Sequence, residues 1–423
     1  MLGIPSAALA ATHECNGLEA TIVSSARTIS GTNGVDVIVV RGKGNHTVNS
    51  GAGDDVVCGS KGNDRINAGS GNDSVFAGAG NDTITNTTGS NTLVGGAGND
   101  SITSGDGNDS IDAGAGIDTI TSGAGNDTIN AGDGTNTVDA GAGNNTVTTG
   151  TGADVITTGD GSNNINSGAG ADSVTTGADA DSIVAGAGND TVSSGAGDDY
   201  IDAGAGADSV VAGAGNDTLV FDAADQIIDG GAGNNVLKVT DANVDLTTIA
   251  NTQLVNIQAI DLSNGTASTL TLGEADVAAM LPTGVTTLYI KGDASDRVVF
   301  RDAWQNTGTS TVDGTTYQVF NRNGLDVHVQ SSLTGSVEIL GTSGSDTLQG
   351  GAGPDRIEAD AGDDVIDAGS GADSVFAGAG NDTLVFDAAD QIIDGGTGTN
   401  VLKINDSTVD LTTISDALAT NFQ

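Results

Sequence analysis

Glutamate is nearly absent from this sequence, and that absence narrows the chemistry. Of 56 acidic residues only five are Glu (Glu14, Glu19, Glu274, Glu338 and Glu358), leaving 56 − 5 = 51 Asp. Each EF-hand loop ends in a bidentate Glu, so that calcium-site design is excluded as the main theme. Basic residues are scarce as well: 12 Lys plus Arg against 56 Asp plus Glu give a formal charge of −44. Such a surface repels phosphate backbones and attracts cations, which removes nucleic acid from the candidate partners. Long apolar runs are missing too. Nothing approaches the roughly 20 residues of a membrane-spanning helix, so no transmembrane segment is expected. Aromatic residues make up 3% of the chain, too little bulk for an ordinary enzyme core, and composition alone would predict disorder.

Catalytic constellations are lacking. The three histidines, His13, His46 and His328, form no His-Glu-x-x-His pair, and there is no Gly-x-Ser-x-Gly elbow, so no enzyme and no catalytic residue is expected. His328 reads as a surface position in an alternating strand, and Trp304 as core packing. The glycine-rich turns are followed by Asp rather than by the Lys of a phosphate loop. Cys15 and Cys58 allow one disulfide, with two buried thiols as the alternative. Residues 1–11 end in a small-x-small pattern at Ala8 and Ala10 with no basic segment before it. They read either as the remnant of a signal peptide or as an unstructured leader.

What is abundant is glycine, 67 residues, and it is periodic. Between residues 40 and 237 an apolar β-former returns every nine residues, as in Ile102, Ile111, Ile120, Ile129 and Val138. Two residues before it stands Asp or Asn in nearly every copy, and four and six before stands Gly, as in Asp112-Ala-Gly-Ala-Gly-Ile-Asp-Thr-Ile120. The glycines permit the positive φ of a tight turn, and Asp-x-Ile-x is a short extended segment. Each copy is a turn plus a strand, and two copies bring the chain back to its starting side. The period predicts an all-β fold: a right-handed parallel β-roll with 18-residue coils of two nonapeptides each. At a strand spacing of about 4.8 Å, stacked Asp side chains repel by roughly 3 kcal/mol at an effective dielectric of about 20. A cation must sit among them. Carboxylates and turn carbonyls on a glycine backbone suit Ca2+ better than zinc, copper or rigidly octahedral Mg2+.

These units resemble the RTX nonapeptide, Gly-Gly-x-Gly-x-Asp-x-U-x, of the parallel β-roll calcium-binding proteins. The resemblance implies that the Asp and turn carbonyls of one copy, with those of the copy two further on, enclose calcium. By matching position it nominates as ligands Asp55, Asp64, Asp73, Asp82, Asp100, Asp109, Asp118, Asp127, Asp154, Asp172, Asp181, Asp190, Asp199, Asp208 and Asp217, and in a second array Asp346, Asp355, Asp364, Asp373 and Asp382. Multiple Ca2+ ions are the implied cofactor. The sequence departs from the motif in two ways: its first Gly is usually Ala, Ser or Thr, and the Asp position is His46, Asn91, Asn136, Asn145, Asn163, Gln226 or Asn235 in other copies. His46 reads as a decayed ligand, and calcium sites along the edge through Asn145 and Asn163 are expected to be weak or absent. The stretch from Cys15 to Asp55-Val-Val-Cys58 resembles the start of secreted bacterial calcium-binding proteins, which implies a Cys15–Cys58 disulfide stapling the first coils.

The expected organisation is a leader and cap at 1–30, a first array at 31–237, a compact β-rich module at 238–340 that interrupts the roll, a second array at 341–404, and the truncated start of a second module at 405–423. Within 238–340, Thr286–Ile290, Arg297–Phe300, Thr316–Phe320 and Leu325–Val329 read as antiparallel strands and Gly273–Leu281 as a short helix. Asn256–Leu262 and Tyr289–Asp293 resemble modules interleaved with RTX arrays in secreted exoproteins and adhesins. Residues 208–258 reappear without a gap at 373–423, a shift of 423 − 258 = 165, and the second copy stops where the first continues. The chain thus reads as part of a longer array.

Three functions follow as expectations. The first is a secreted, extracellular, non-catalytic calcium-binding repeat protein of adhesin, surface or exoprotein type, folded by extracellular calcium, with cell-surface or extracellular-matrix components as further partners. The second is the folding and secretion module of an enzyme or toxin whose catalytic domain lies outside this chain. The third, ice or carbohydrate binding, needs a regular exposed Thr row, whereas Thr and Ser alternate irregularly along the chain with Asn and Ala.

Overall fold

A computed structural model describes residues 14–333, 337–404 and 419–422. The expected leader, residues 1–11, and most of the expected truncated module, 405–418, lie outside the described residues. The chain packs as two compact units, Met1–Gly215 and Asn216–Gln423. Both are parallel β-solenoids.

In the first unit each nonapeptide makes a short strand followed by a turn, and successive copies go to opposite sheets. Ser101–Thr103, Thr119–Thr121, Thr137–Asp139 and Val155–Thr157 pair in parallel in one sheet. Ser110–Ala115, Thr128–Gly132 and Thr146–Thr149 pair in the other. The register is 18 residues, so that Ile120 lies beside Val138 and Ile111 beside Ile129. Strand alternation then points every apolar anchor inward; Ile84, Ile102, Ile120 and Ile156 are all at most 1% exposed.

Tight stacking explains the glycines. Gly125 has φ +149°, and an added Cβ there would overlap the carbonyl oxygen of Gly107 in the coil before. The replaced first Gly of the motif is explained too. At that position Ser104 and Ser122 are fully buried, and their hydroxyls donate to the carbonyls of Ser122 (3.0 Å) and Ala140 (2.9 Å) one coil on. A small inward side chain fills space that a glycine would leave empty.

Cys15 and Cys58 form a disulfide with Cα atoms 5.7 Å apart. Cys15 is buried with Val37 and Val56 against Ala20, Val39 and Phe76, so the bond pins the hairpin of Glu14–Cys15 and Leu18–Glu19 over the first coils.

The second unit bears out the antiparallel pairing expected of Thr316–Phe320 with Leu325–Val329 and corrects the direction expected of the other two strands. Thr287–Lys291 pairs in parallel with both Ala259–Asp261 and Leu325–Gln330. Arg297–Phe300 pairs in parallel with Thr269–Leu272 and Val337–Leu340. The antiparallel pairs are Gln305–Val312 with Thr315–Arg322 and Thr315–Arg322 with Leu325–Gln330. Alternating hydrophobicity fixes which face a residue takes but not the direction of its strand, and the longer coils here return the chain the same way round.

Larger side chains fill these wider coils. Trp304, Phe300 and Phe320 are fully buried, with ring centroids 5.4 Å (Phe300–Trp304) and 4.7 Å (Phe300–Phe320) apart. The expected helix is Glu274–Met280, tied to the antiparallel hairpin through Arg322 Nε (2.7 Å) and Asn323 Nδ2 (2.8 Å), which donate to the Glu274 carboxylate.

Candidate metal centre

All the nominated Asp residues except Asp346 are buried. They sit where each turn runs into a strand, and one carboxylate oxygen has a fixed task. The backbone N–H of Asp64 donates to Asp82 Oδ1 (2.6 Å), that of Asp82 to Asp100 Oδ1 (2.7 Å), and that of Asp100 to Asp118 Oδ1 (2.7 Å). The other edge repeats this from Asp55 to Asp73 (2.8 Å) and from Asp109 to Asp127 (2.9 Å). In the second unit Asp346, Asp355 and Asp364 donate in the same way to Asp364, Asp373 and Asp382. The Oδ1 ladder is therefore structural.

The second oxygen is the chemically informative one. Oδ2 of Asp55, Asp82, Asp100, Asp109, Asp118, Asp127, Asp154, Asp172, Asp181, Asp190, Asp208, Asp364, Asp373 and Asp382 is buried with no donor. A buried acceptor without a partner costs about 1–3 kcal/mol, and more when charged. Burial pushes the Asp82 carboxyl up to about 7, against the pull of its Asp64 backbone hydrogen bond, while the charges on Asp100 and Asp64 add to the rise. Asp190 and Asp364 are pushed to about 6, again mainly by burial. Each such oxygen needs a proton or a cation.

Four nominated residues differ. Asp64 Oδ2 accepts from Ser60 N–H (2.8 Å), Asp73 Oδ2 from Asn86 Nδ2 (2.8 Å), and Asp355 Oδ2 from Gly351 N–H (2.7 Å). Asp346 Oδ2 accepts from both the N–H (2.6 Å) and the hydroxyl (3.0 Å) of Thr342. Asp36, which the sequence reading passed over, is held identically by Thr32 (2.6 and 2.9 Å). Gly-Thr-x-Gly-x-Asp occurs in both places, and that recurring hexapeptide was the signal for Asp36.

Asn at the ligand position satisfies itself. Asn145 Nδ2 donates to the carbonyls of Gly141 (3.3 Å) and Gly143 (3.1 Å), and Asn136 Nδ2 to those of Gly132 (3.1 Å) and Gly134 (3.3 Å). His46 turns Nδ1 toward the Ala26 carbonyl at 3.0 Å. Among the described residues no three His, Cys, Asp or Glu side chains converge as a metal cluster. A cation here would have carboxylates from successive coils and backbone carbonyls around it, an all-oxygen set that fits a hard, flexibly coordinated ion such as Ca2+.

The repeat profile of the RTX calcium-binding nonapeptide matches residues 49–84, 85–120, 113–147, 140–174, 148–183, 157–192, 184–219, 340–375, 360–390 and 368–402, more than half of the chain. The chain belongs to the RTX calcium-binding repeat family.

This RTX protein is therefore a calcium-binding repeat protein with a parallel β-solenoid fold. No curated protein matches it. Among solved structures it is similar to a hyperactive, Ca2+-dependent, β-helical antifreeze protein from an Antarctic bacterium, at 15% identity over 86% of this chain and 84% of that one, with a TM-score of 0.19. The fold assignment rests on the repeat match and the strand pairing. Among the described residues no helix is long and apolar enough to cross a membrane.

Outside the RTX turns, His328 is not the plain surface residue expected. It is half-buried, its ring 4.9 Å from that of Tyr289 and 6.1 Å from that of Tyr317, and burial lowers its pKa while Asp326 opposes the shift.

Proposed function

We propose that this chain is a secreted, non-catalytic RTX segment whose coils close when extracellular calcium bridges the Asp carboxylates of successive coils, and that it serves as a repeat spacer in an adhesin, surface protein or exoprotein. The observation that carries this reading is the row of buried Oδ2 atoms without donors. When bound, calcium supplies the positive charge that those oxygens lack. The chain's own part is to hold Oδ1 in the backbone ladder, so that Oδ2 is fixed in place in the closed coils. The principal ligands are the residues whose Oδ2 has no donor. Asp64, Asp73, Asp346 and Asp355 are satisfied from within the chain and contribute less. The Cys15–Cys58 disulfide supports an oxidising, extracellular compartment.

The test is far-UV circular dichroism of the purified chain titrated with calcium and with EGTA. A cooperative gain of β signal near about 1 mM free calcium is expected. A β spectrum unchanged in EGTA would remove calcium-driven folding from the account.

One observation favours a second reading, ice binding. Sorted into its own sheet, the chain's irregular Ser/Thr pattern becomes two rows in register, Ser101–Thr119–Thr137–Val155–Ser173–Thr191 and Thr103–Thr121–Asp139–Thr157–Thr175–Ser193. In these rows the charged exception is Asp139, on a chain of net charge −44. Measuring thermal hysteresis of the calcium-loaded protein decides it: a freezing gap supports the ice reading, and none removes it.

A further inference from the structure

Near the end of the second array the carboxylate stands one residue off the ligand position, while the strands keep their 18-residue register with Val375 beside Ile393. The nonapeptide count puts the ligand position at Gln391, two residues before the core residue Ile393, and glutamine brings no charge. The N–H groups of Gln391 (2.8 Å) and Ile392 (3.2 Å) both donate to the carbonyl of Asp373, which places this segment directly beside Asp373. In place of a glycine turn, the Asp387–Asp390 segment is built from side chains. Ala389 N–H donates to Asp387 Oδ1 (2.6 Å), and Asp387 N–H donates to Asp390 Oδ2 (2.9 Å). This turn carries Asp390 inward to 5% exposure, while Asp373 is 0% exposed.

The two carboxyls lie within hydrogen-bonding reach of each other. Asp373 Oδ1 is taken by the Asp355 N–H (2.8 Å) and Asp390 Oδ2 by the Asp387 N–H. Asp373 Oδ2 and Asp390 Oδ1 remain, both buried and without a donor. The charged groups acting on the pair, Asp355 and Asp387, are both negative. Two neighbouring buried carboxyls, each with one oxygen lacking a donor and with only negative charges around them, call for a shared proton or a cation.

We propose that Asp373 and Asp390 hold a divalent hard cation, calcium, at a site offset by one residue from the nonapeptide register. The donor set is oxygen alone, with no His or Cys, which selects Ca2+ over zinc or copper. The shift restores at the end of the array the carboxylate that Gln391 withdraws. The proposal rests on the calcium reading of the array, and its test separates the two.

The full chain is crystallised in millimolar calcium, and anomalous scattering is recorded at a long wavelength. A peak between Asp373 Oδ2 and Asp390 Oδ1, beside peaks at the regular turns, is the expected result. Asp390→Ala should abolish that peak and leave those near Asp82 and Asp100. Peaks at the regular turns with none between Asp373 and Asp390, the two carboxyls instead sharing a short hydrogen bond, would overturn the site and leave the array's calcium reading standing. Absence of peaks everywhere would overturn both.

Discussion

Asn163 Nδ2 lies 2.7 Å from the carbonyl oxygen of Gly161 and 3.0 Å from Oδ1 of Asp181 one coil on. One amide thus joins its own turn to the next carboxylate. Asn91 does the same with the Gly89 carbonyl and Asp109 Oδ1, both at 2.9 Å. Two amide hydrogens standing between two oxygens satisfy locally the acceptors that the proposed cation would satisfy elsewhere. On the calcium reading proposed above, the Asn copies are the rungs expected to close without the ion.

Replacing Asn145 and Asn163 together by Asp exchanges self-satisfied amides for buried carboxylates. The double variant should lose residual β signal in EGTA and bind additional calcium when saturated, whereas Asp109→Asn should retain more β signal in EGTA and bind less. Circular dichroism paired with equilibrium dialysis reads both. Unchanged EGTA spectra in both variants would show that the amides do not stand in for the ion.

The metal-free and calcium-loaded forms should respond to pH in opposite directions. Folded-state values near 7 for Asp82 and near 6 for Asp190 and Asp364 lie above the ordinary 3.8. The folded state therefore binds more protons than the unfolded chain between these limits. In EGTA its stability is greatest below about pH 4 and is lost as pH rises through 6 to 7. With calcium present, protons compete for the same oxygens, so acidification through that window weakens folding. Parallel pH profiles with and without calcium would refute burial as the source of the raised values.

Closing a loop of sequence separation 43 with a disulfide is worth up to about 4 kcal/mol. In a solenoid each coil couples mainly to its neighbours. Cys15→Ser with Cys58→Ser should therefore speed hydrogen exchange around Val37 and Val57 while leaving amides near Ile183 unchanged, in saturating calcium. Uniform loss of protection would mean that the staple supports the whole unit.

Gly125→Ala places a Cβ against the Gly107 carbonyl at φ +149°, while Gly44→Ala meets nothing within 4 Å. The first should cost at least about 2 kcal/mol and the second less than about 1 kcal/mol. Calcium midpoints and urea denaturation of the two variants provide the comparison, and equal effects would contradict the stacking distance.

The nine-residue phase settled the coil by itself. A three-residue strand alternates in and out, and a Gly-x-Gly turn reverses it, so the stacking of Ile102, Ile120 and Val138 and the recurrence of Asp82 and Asp118 at the turns follow from local chemistry repeated in register. Hard oxygen ligands in that register already pointed to calcium. Cysteine count left the Cys15–Cys58 pairing open, because a pairing is a distance between chain segments; the resemblance of the opening segment implied it, and packing around Val37 and Val56 shows it.

Other features depend on donors that the period does not contain. Ser60 and Gly351 reach Asp64 and Asp355 from four residues away, Asn86 reaches Asp73 across the coil, and the Asp387–Asp390 turn carries Asp390 inward. The directions of Thr287–Lys291 and Arg297–Phe300 were equally hidden, since alternation encodes a face and only the length of the returning coil encodes a direction. Sequence fixed where acidic groups recur, and the tertiary structure decided which of their oxygens are left without a partner. Satisfaction of a buried acceptor depends on whichever donor the folded chain brings within about 3 Å.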